Sequence, residues 1–112
     1  MVKVEKLNDV LIVSLEAENK LNAAISQKFK VEVAKLFDQP DMKLIIDLGG
    51  VDYIDSSGFG SLLSVLRAAK GNNAQLKLCN ISHEVMALVQ LLQLQTVFDI
   101  RNSIEDCLKS FA

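Results

Sequence analysis

The chain has 112 residues, half of them apolar and 23% charged, with a net charge of −2. This composition suits one globular domain over residues 1–112, large enough for one hydrophobic core, and excludes a disordered chain. Lys and Arg are scattered without interleaved aromatics, which argues against direct nucleic-acid binding, and no apolar run approaches the ~20 residues that cross a bilayer.

Residues 2–7 alternate at period two, Asn8-Asp9 carries turn chemistry, and residues 10–16 resume a more apolar strand. The pair predicts a hairpin at one side of a sheet. A polar link over 17–21 leads to Asn22, which caps a helix to about residue 37. Ile25, Phe29, Val33, Leu36 and Phe37 share one face of that helix, and Pro40 lies in the loop beyond it. Residues 43–48 are apolar on both faces apart from Asp47, as in an interior strand covered by helices. Gly49-Gly50 breaks the strand, and residues 51–54 lead into Asp55-Ser56-Ser57-Gly58. The helix after Gly58 runs to Lys70 and is stopped by Gly71-Asn72-Asn73. A strand over 74–79 follows, then a helix over 83–92 capped by Asn80 or Ser82. Residues 96–100 read as a last short strand and 103–111 as a C-terminal helix. Helices alternating with strands predict an α/β domain: a mixed sheet, parallel beyond its N-terminal hairpin, with four helices.

No basic-then-apolar leader follows Met1, so the expected compartment is the cytoplasm. Cys79 and Cys107 are the only cysteines and are expected as reduced, partly buried thiols. Metal-ligand spacing is absent, so neither a metal nor another cofactor is expected.

The strand-to-helix junction Asp55-Ser56-Ser57-Gly58 carries the most chemistry. It sets two hydroxyls at the mouth of a helix, where unpaired N–H groups and the dipole accommodate a phosphate. Taken alone, the tetrapeptide has a plainer reading: Asp55 or Ser56 caps the helix and Gly58 lets it pack closely on the sheet. On a helical wheel Leu62, Val65, Leu66 and Ala69 turn toward the sheet, with Gly58 beneath them. Gly60, Ser61, Ser64, Arg67 and Ala68 then form an outer face, which either meets a partner protein or is ordinary solvated surface.

The wider context is more specific. Ile45-Ile46-Asp47-Leu48 precedes Val51-Asp52-Tyr53-Ile54-Asp55-Ser56-Ser57-Gly58 and Phe59-Gly60-Ser61-Leu62-Leu63. Downstream come Leu78-Cys79-Asn80-Ile81-Ser82-His83-Glu84-Val85, Leu91-Leu92-Gln93-Leu94 and Val97-Phe98-Asp99-Ile100. Over essentially its whole length the chain resembles the anti-sigma factor antagonist family, the stand-alone bacterial STAS domains related to sulfate-transporter tails. Three positions depart from that pattern. Asn22 stands where the family often has Asp, His83 where Pro is usual, and Gln93 where Gly is frequent.

The resemblance implies that Ser57, the second serine, is the phosphorylated residue, with Asp55, Ser56 and Gly58 framing it. It implies partner switching by a protein that is a monomer when free and does not insert in membranes. The unphosphorylated form binds an anti-sigma factor that is also a serine kinase, releasing a sigma factor. Phosphorylation ends binding, and a metal-dependent serine phosphatase reverses it. Asn22, Gly60, Ser61, Ser64 and Arg67 would then meet the partner. A dianion at Ser57 is not expected to melt the helix. Opposed by Asp55 and Asp52, it would weaken association instead.

No catalytic residue is expected. A serine nucleophile would need a base, yet His83 is the only histidine and no Gly-x-Ser-x-Gly surrounds the motif. Gly58-Phe59-Gly60 lacks both a P-loop lysine and dinucleotide spacing. The serious alternative is a STAS scaffold of different output, regulating a phosphatase or belonging to a transport complex.

Overall fold

A computed structural model describes residues 1–111. The period-two segments pair as strands β1 (Val2–Leu7) and β2 (Val10–Leu15), antiparallel, with Leu7 opposite Val10. Asn8 takes a φ of 58° in the turn, a left-handed conformation that Asn adopts at little cost. Three further strands extend the sheet in parallel: β4 (Lys43–Asp47), β6 (Gln75–Cys79) and β7 (Asp99–Arg101). The order across the sheet is β1-β2-β4-β6-β7. Two residue pairs, β3 (Lys20–Leu21) and β5 (Tyr53–Ile54), form a separate parallel ribbon.

Alternation along the central strands sorts their side chains to two layers. On one face Val13, Leu44, Ile46, Leu76 and Leu78 meet Phe29, Val33, Leu62, Val65, Val85 and Val89. Those partners come from helices α1 (Ala23–Ala34), α2 (Ser56–Gly71) and α3 (His83–Leu91). Full burial of each large side chain here contributes about 1.5–3 kcal/mol. On the other face Val10, Ile45 and Cys79 pack on Cys107, with Ile104, Leu108 and Phe111 around them. That layer is helix α4 (Ile104–Ser110) and the residue after it. Both cysteines are free and buried; burial pushes the Cys79 thiol up to about 12 and raises that of Cys107.

Three expected boundaries move, and one choice of cap left open by the sequence is decided. Helix α1 ends at Ala34, and the N–H groups of Leu36 and Phe37 bond instead to the carbonyls three residues back. That tighter turn still drives Phe37 into the core. Residues 94–96 form a 3₁₀ turn, not the start of a strand, because Gln93 at φ 61° turns the chain first. The strand begins only at Asp99. Ser82, not Asn80, caps α3, with its Oγ accepting from Val85 N–H at 3.2 Å. Asn80 instead donates to Asp47 Oδ1 at 3.0 Å. Finally, α2 begins at Ser56, ahead of Gly58. No described helix is long and apolar enough to cross a membrane.

Candidate functional site

The ribbon β3/β5 ends where α1 and α2 begin, and one carboxylate joins the two starts. Asp55 Oδ1 accepts from Gly58 N–H at 2.9 Å, capping α2. Its Oδ2 accepts from Ala23 N–H, the first residue of α1, at 3.1 Å. Asn22 caps the same helix, its Oδ1 accepting from Ala24 N–H at 3.1 Å. Two positive helix ends therefore meet at one corner, and Asp55 supplies the charge that lets them do so.

Gly58 fixes how close the parts come. A Cβ built there would run into the Leu21 carbonyl oxygen and lie 2.7 Å from Ile54 Cγ2. Only glycine lets α2 start flush against the ribbon. Ser56 and Ser57 are the first two helical residues, and both are exposed. Asp55 takes the N–H of Gly58, so its carboxylate faces inward while the two hydroxyls face out.

Helices α1 and α2 pack along each other from this corner. Between them lies a groove of about 260 Å³ lined by Ser26, Gln27, Lys30, Ser57, Gly60, Ser61 and Ser64. Its lining includes four hydroxyls, one ammonium and no carboxylate.

A family model for the STAS domain matches residues 1–107. The chain belongs to the STAS domain family. BtrV of Bordetella bronchiseptica, named as an anti-sigma factor antagonist, is 26% identical over 108 residues, covering 96% of this chain and 91% of BtrV. An anti-sigma-factor antagonist (STAS) domain protein from Planctomyces limnophilus superposes with a TM-score of 0.88 at 19% identity, covering 97% of this chain and 96% of that one. The anti-sigma factor antagonist SpoIIAA in its unphosphorylated form gives 0.71 at 14% identity, over 99% of this chain and 100% of its own. Both superpositions show that the fold described above is shared over nearly the whole chain.

Within this STAS domain the expected site residues divide. Asp55, Ser56, Ser57, Gly58 and Asn22 come together at the corner. Gly60 and Arg67 are exposed on α2, and Ser64 is half-buried. Ser61 does not point outward: it is 4% exposed and its Oγ donates to the Gly58 carbonyl at 2.7 Å. The reason is α1, which takes up the flank that the helical wheel left open. Small residues on that flank admit a neighbouring helix of the same chain. Sequence reasoning missed Ser26, Gln27 and Lys30, although Ser26 and Lys30 stand at i, i+4 beside the core residues Phe29 and Val33.

Proposed function

We propose that this STAS domain is an anti-sigma factor antagonist worked as a switch by phosphorylation of Ser57. One observation carries the reading. Ser57 presents an exposed hydroxyl at the second position of α2, on backbone held by Asp55 and by the close seat of Gly58. Such a hydroxyl is open to a kinase, and the helix start tolerates the charge it would gain.

In the unphosphorylated form the corner and the exposed part of α2 dock on an anti-sigma factor that is also a serine kinase. The sigma factor it held is set free. The kinase then moves the γ-phosphoryl group of ATP to Ser57: the Oγ–P bond forms, the bond to ADP breaks, and the hydroxyl proton leaves to a base of the kinase. A dianion now stands in the contact surface and ends the association through like charge and lost fit. A metal-dependent serine phosphatase adds water across the phosphoester, releasing inorganic phosphate and restoring the hydroxyl. The STAS domain is substrate in both reactions and catalyses neither. It acts in the cytoplasm, on transcription, without touching DNA.

The test is capture of the cognate kinase by variants of position 57. Ser57→Ala binds and cannot be released by ATP, whereas Ser57→Asp binds at least about tenfold more weakly. Equal capture by the two variants, or no phosphoryl group on Ser57 after incubation with kinase and ATP, overturns the reading.

A further inference from the structure

The groove beside Ser57 has features that packing alone does not require. Ser26 is only 8% exposed, yet its hydroxyl has no hydrogen-bond partner among the described residues and faces the groove. Lys30 lines the same groove and forms no ion pair among the described residues. Its neighbours one helical turn away are Ser26, Gln27, Val33 and Ala34, none of them acidic. A half-buried lysine and an unpartnered serine hydroxyl that opens onto the groove, with no carboxylate in the lining, favour an anion there.

The anion has a source within reach. Side chains on a helix lean toward its N-terminus, so Lys30 leans back toward the corner where α2 begins. Lys30 lies one turn beyond Ser26, about 6 Å along α1, a distance its own stem covers. Ser57 and Ser61 stand at i, i+4 on the facing flank of α2, with Ser64 beyond them. A phosphoryl group on Ser57 can therefore fold into the groove.

We propose that the α1–α2 groove is a phosphoryl-binding subsite in which Lys30 and the hydroxyls of Ser26 and Ser64 hold the dianion carried by Ser57. The proposal rests on the phosphorylation of Ser57 argued above and adds where that group goes. Held this way, the phosphate is drawn against α1, and Lys30 sets how much of its charge a partner or phosphatase meets. The modified form is then a defined state of the domain, with α1 and α2 bridged by an ion pair.

Phosphoserine installed at position 57 during translation tests this without any kinase. Its second ionisation, followed by phosphorus NMR against pH, lies near 6 in a free phosphoserine. In the intact domain it falls lower, and Lys30→Met raises it by about half a pH unit or more. Lys28→Met, which removes a charge from the exposed side of α1 outside the groove, leaves it unchanged. Ser26→Ala lowers the melting temperature of the phosphorylated form relative to the unmodified one. Equal titration in the parent and Lys30→Met, or an equal shift from Lys28→Met, overturns the subsite. Because no kinase enters, that failure is separate from failure of the switch, which equal kinase capture by Ser57→Ala and Ser57→Asp would reveal.

Discussion

Asp55 and Asp99 are both half-buried carboxylates at the ends of short strands, and the domain neutralises them in opposite ways. Asp55 accepts from two backbone N–H groups, one from each of two helices, and forms no ion pair among the described residues. Asp99, on the other side of the sheet, is held by side chains: Lys77 Nζ at 2.6 Å and Arg101 Nε at 2.7 Å. Lys77 is 5% exposed and sits 4.8 Å from the Phe111 ring, so the cation is buried while Asp99 and Arg101 keep one side to solvent. The contrast assigns roles. A carboxylate tied to backbone fixes geometry and makes no demand on the exposed hydroxyls of Ser56 and Ser57 beside it. A carboxylate tied to buried and flanking cations welds β6 to β7 and has no charge to spare.

The largest test of this contrast is Gly58→Ala. The new methyl meets the Leu21 backbone carbonyl, which cannot swing aside as a flexible side chain would. The ribbon and α2 must part, and the two bonds to Asp55 lengthen together. We expect a loss of about 3 kcal/mol or more in urea unfolding, together with loss of kinase capture. A variant as stable as the parent would mean that the corner is not rigid and that Asp55 does not hold it.

A smaller effect comes from acid. The Arg101 hydrogen bond, aided by Lys77 and opposed by burial, holds the Asp99 carboxyl below its ordinary value. A depressed carboxylate binds fewer protons in the folded chain than in the unfolded one, so stability falls as pH drops. Its contribution is present above the unfolded value near 4 and disappears as pH falls through the lower, folded one. Asp99 is partly exposed, so solvent screening limits the effect to about 1 kcal/mol. Stability curves of the parent and Asp99→Asn between pH 6 and about 2.5 should converge at the acid end; parallel curves would deny the linkage.

What could be read before any coordinates was whatever a local pattern controls. The short apolar run in residues 43–48, closed by Gly49-Gly50, and the strand-like run in 74–79 placed β4 and β6, and Asn22 and Asp55 were legible as caps because capping acts over two or three residues. The ribbon was not legible, since two residues such as Lys20–Leu21 show no period and exist only by pairing with Tyr53–Ile54. Ser61 was misplaced for the same reason. A wheel reports angles around α2 but not that α1 lies beside it. Lys77 in the middle of a buried strand is decided by Asp99, 22 residues away. In each case the deciding partner is distant in sequence.

The smallest expected effect separates the two glycines of the α2 start. Gly60 lies two residues beyond Gly58, yet a Cβ there meets nothing within 4 Å. Its φ is helical, so no strain opposes a side chain, and alanine in a helix interior is favoured over glycine by up to about 1 kcal/mol. Gly60→Ala should therefore stabilise the domain by a few tenths to 1 kcal/mol, the opposite sign to Gly58→Ala. Gly60 is exposed and lines the groove, so the same methyl would stand in the surface offered to a kinase. A gain in melting temperature with weaker capture would assign Gly60 to the contact surface. A gain with unchanged capture would confine that surface to the corner around Ser57, since a stabilised fold leaves lost contact as the remaining cause of weaker binding.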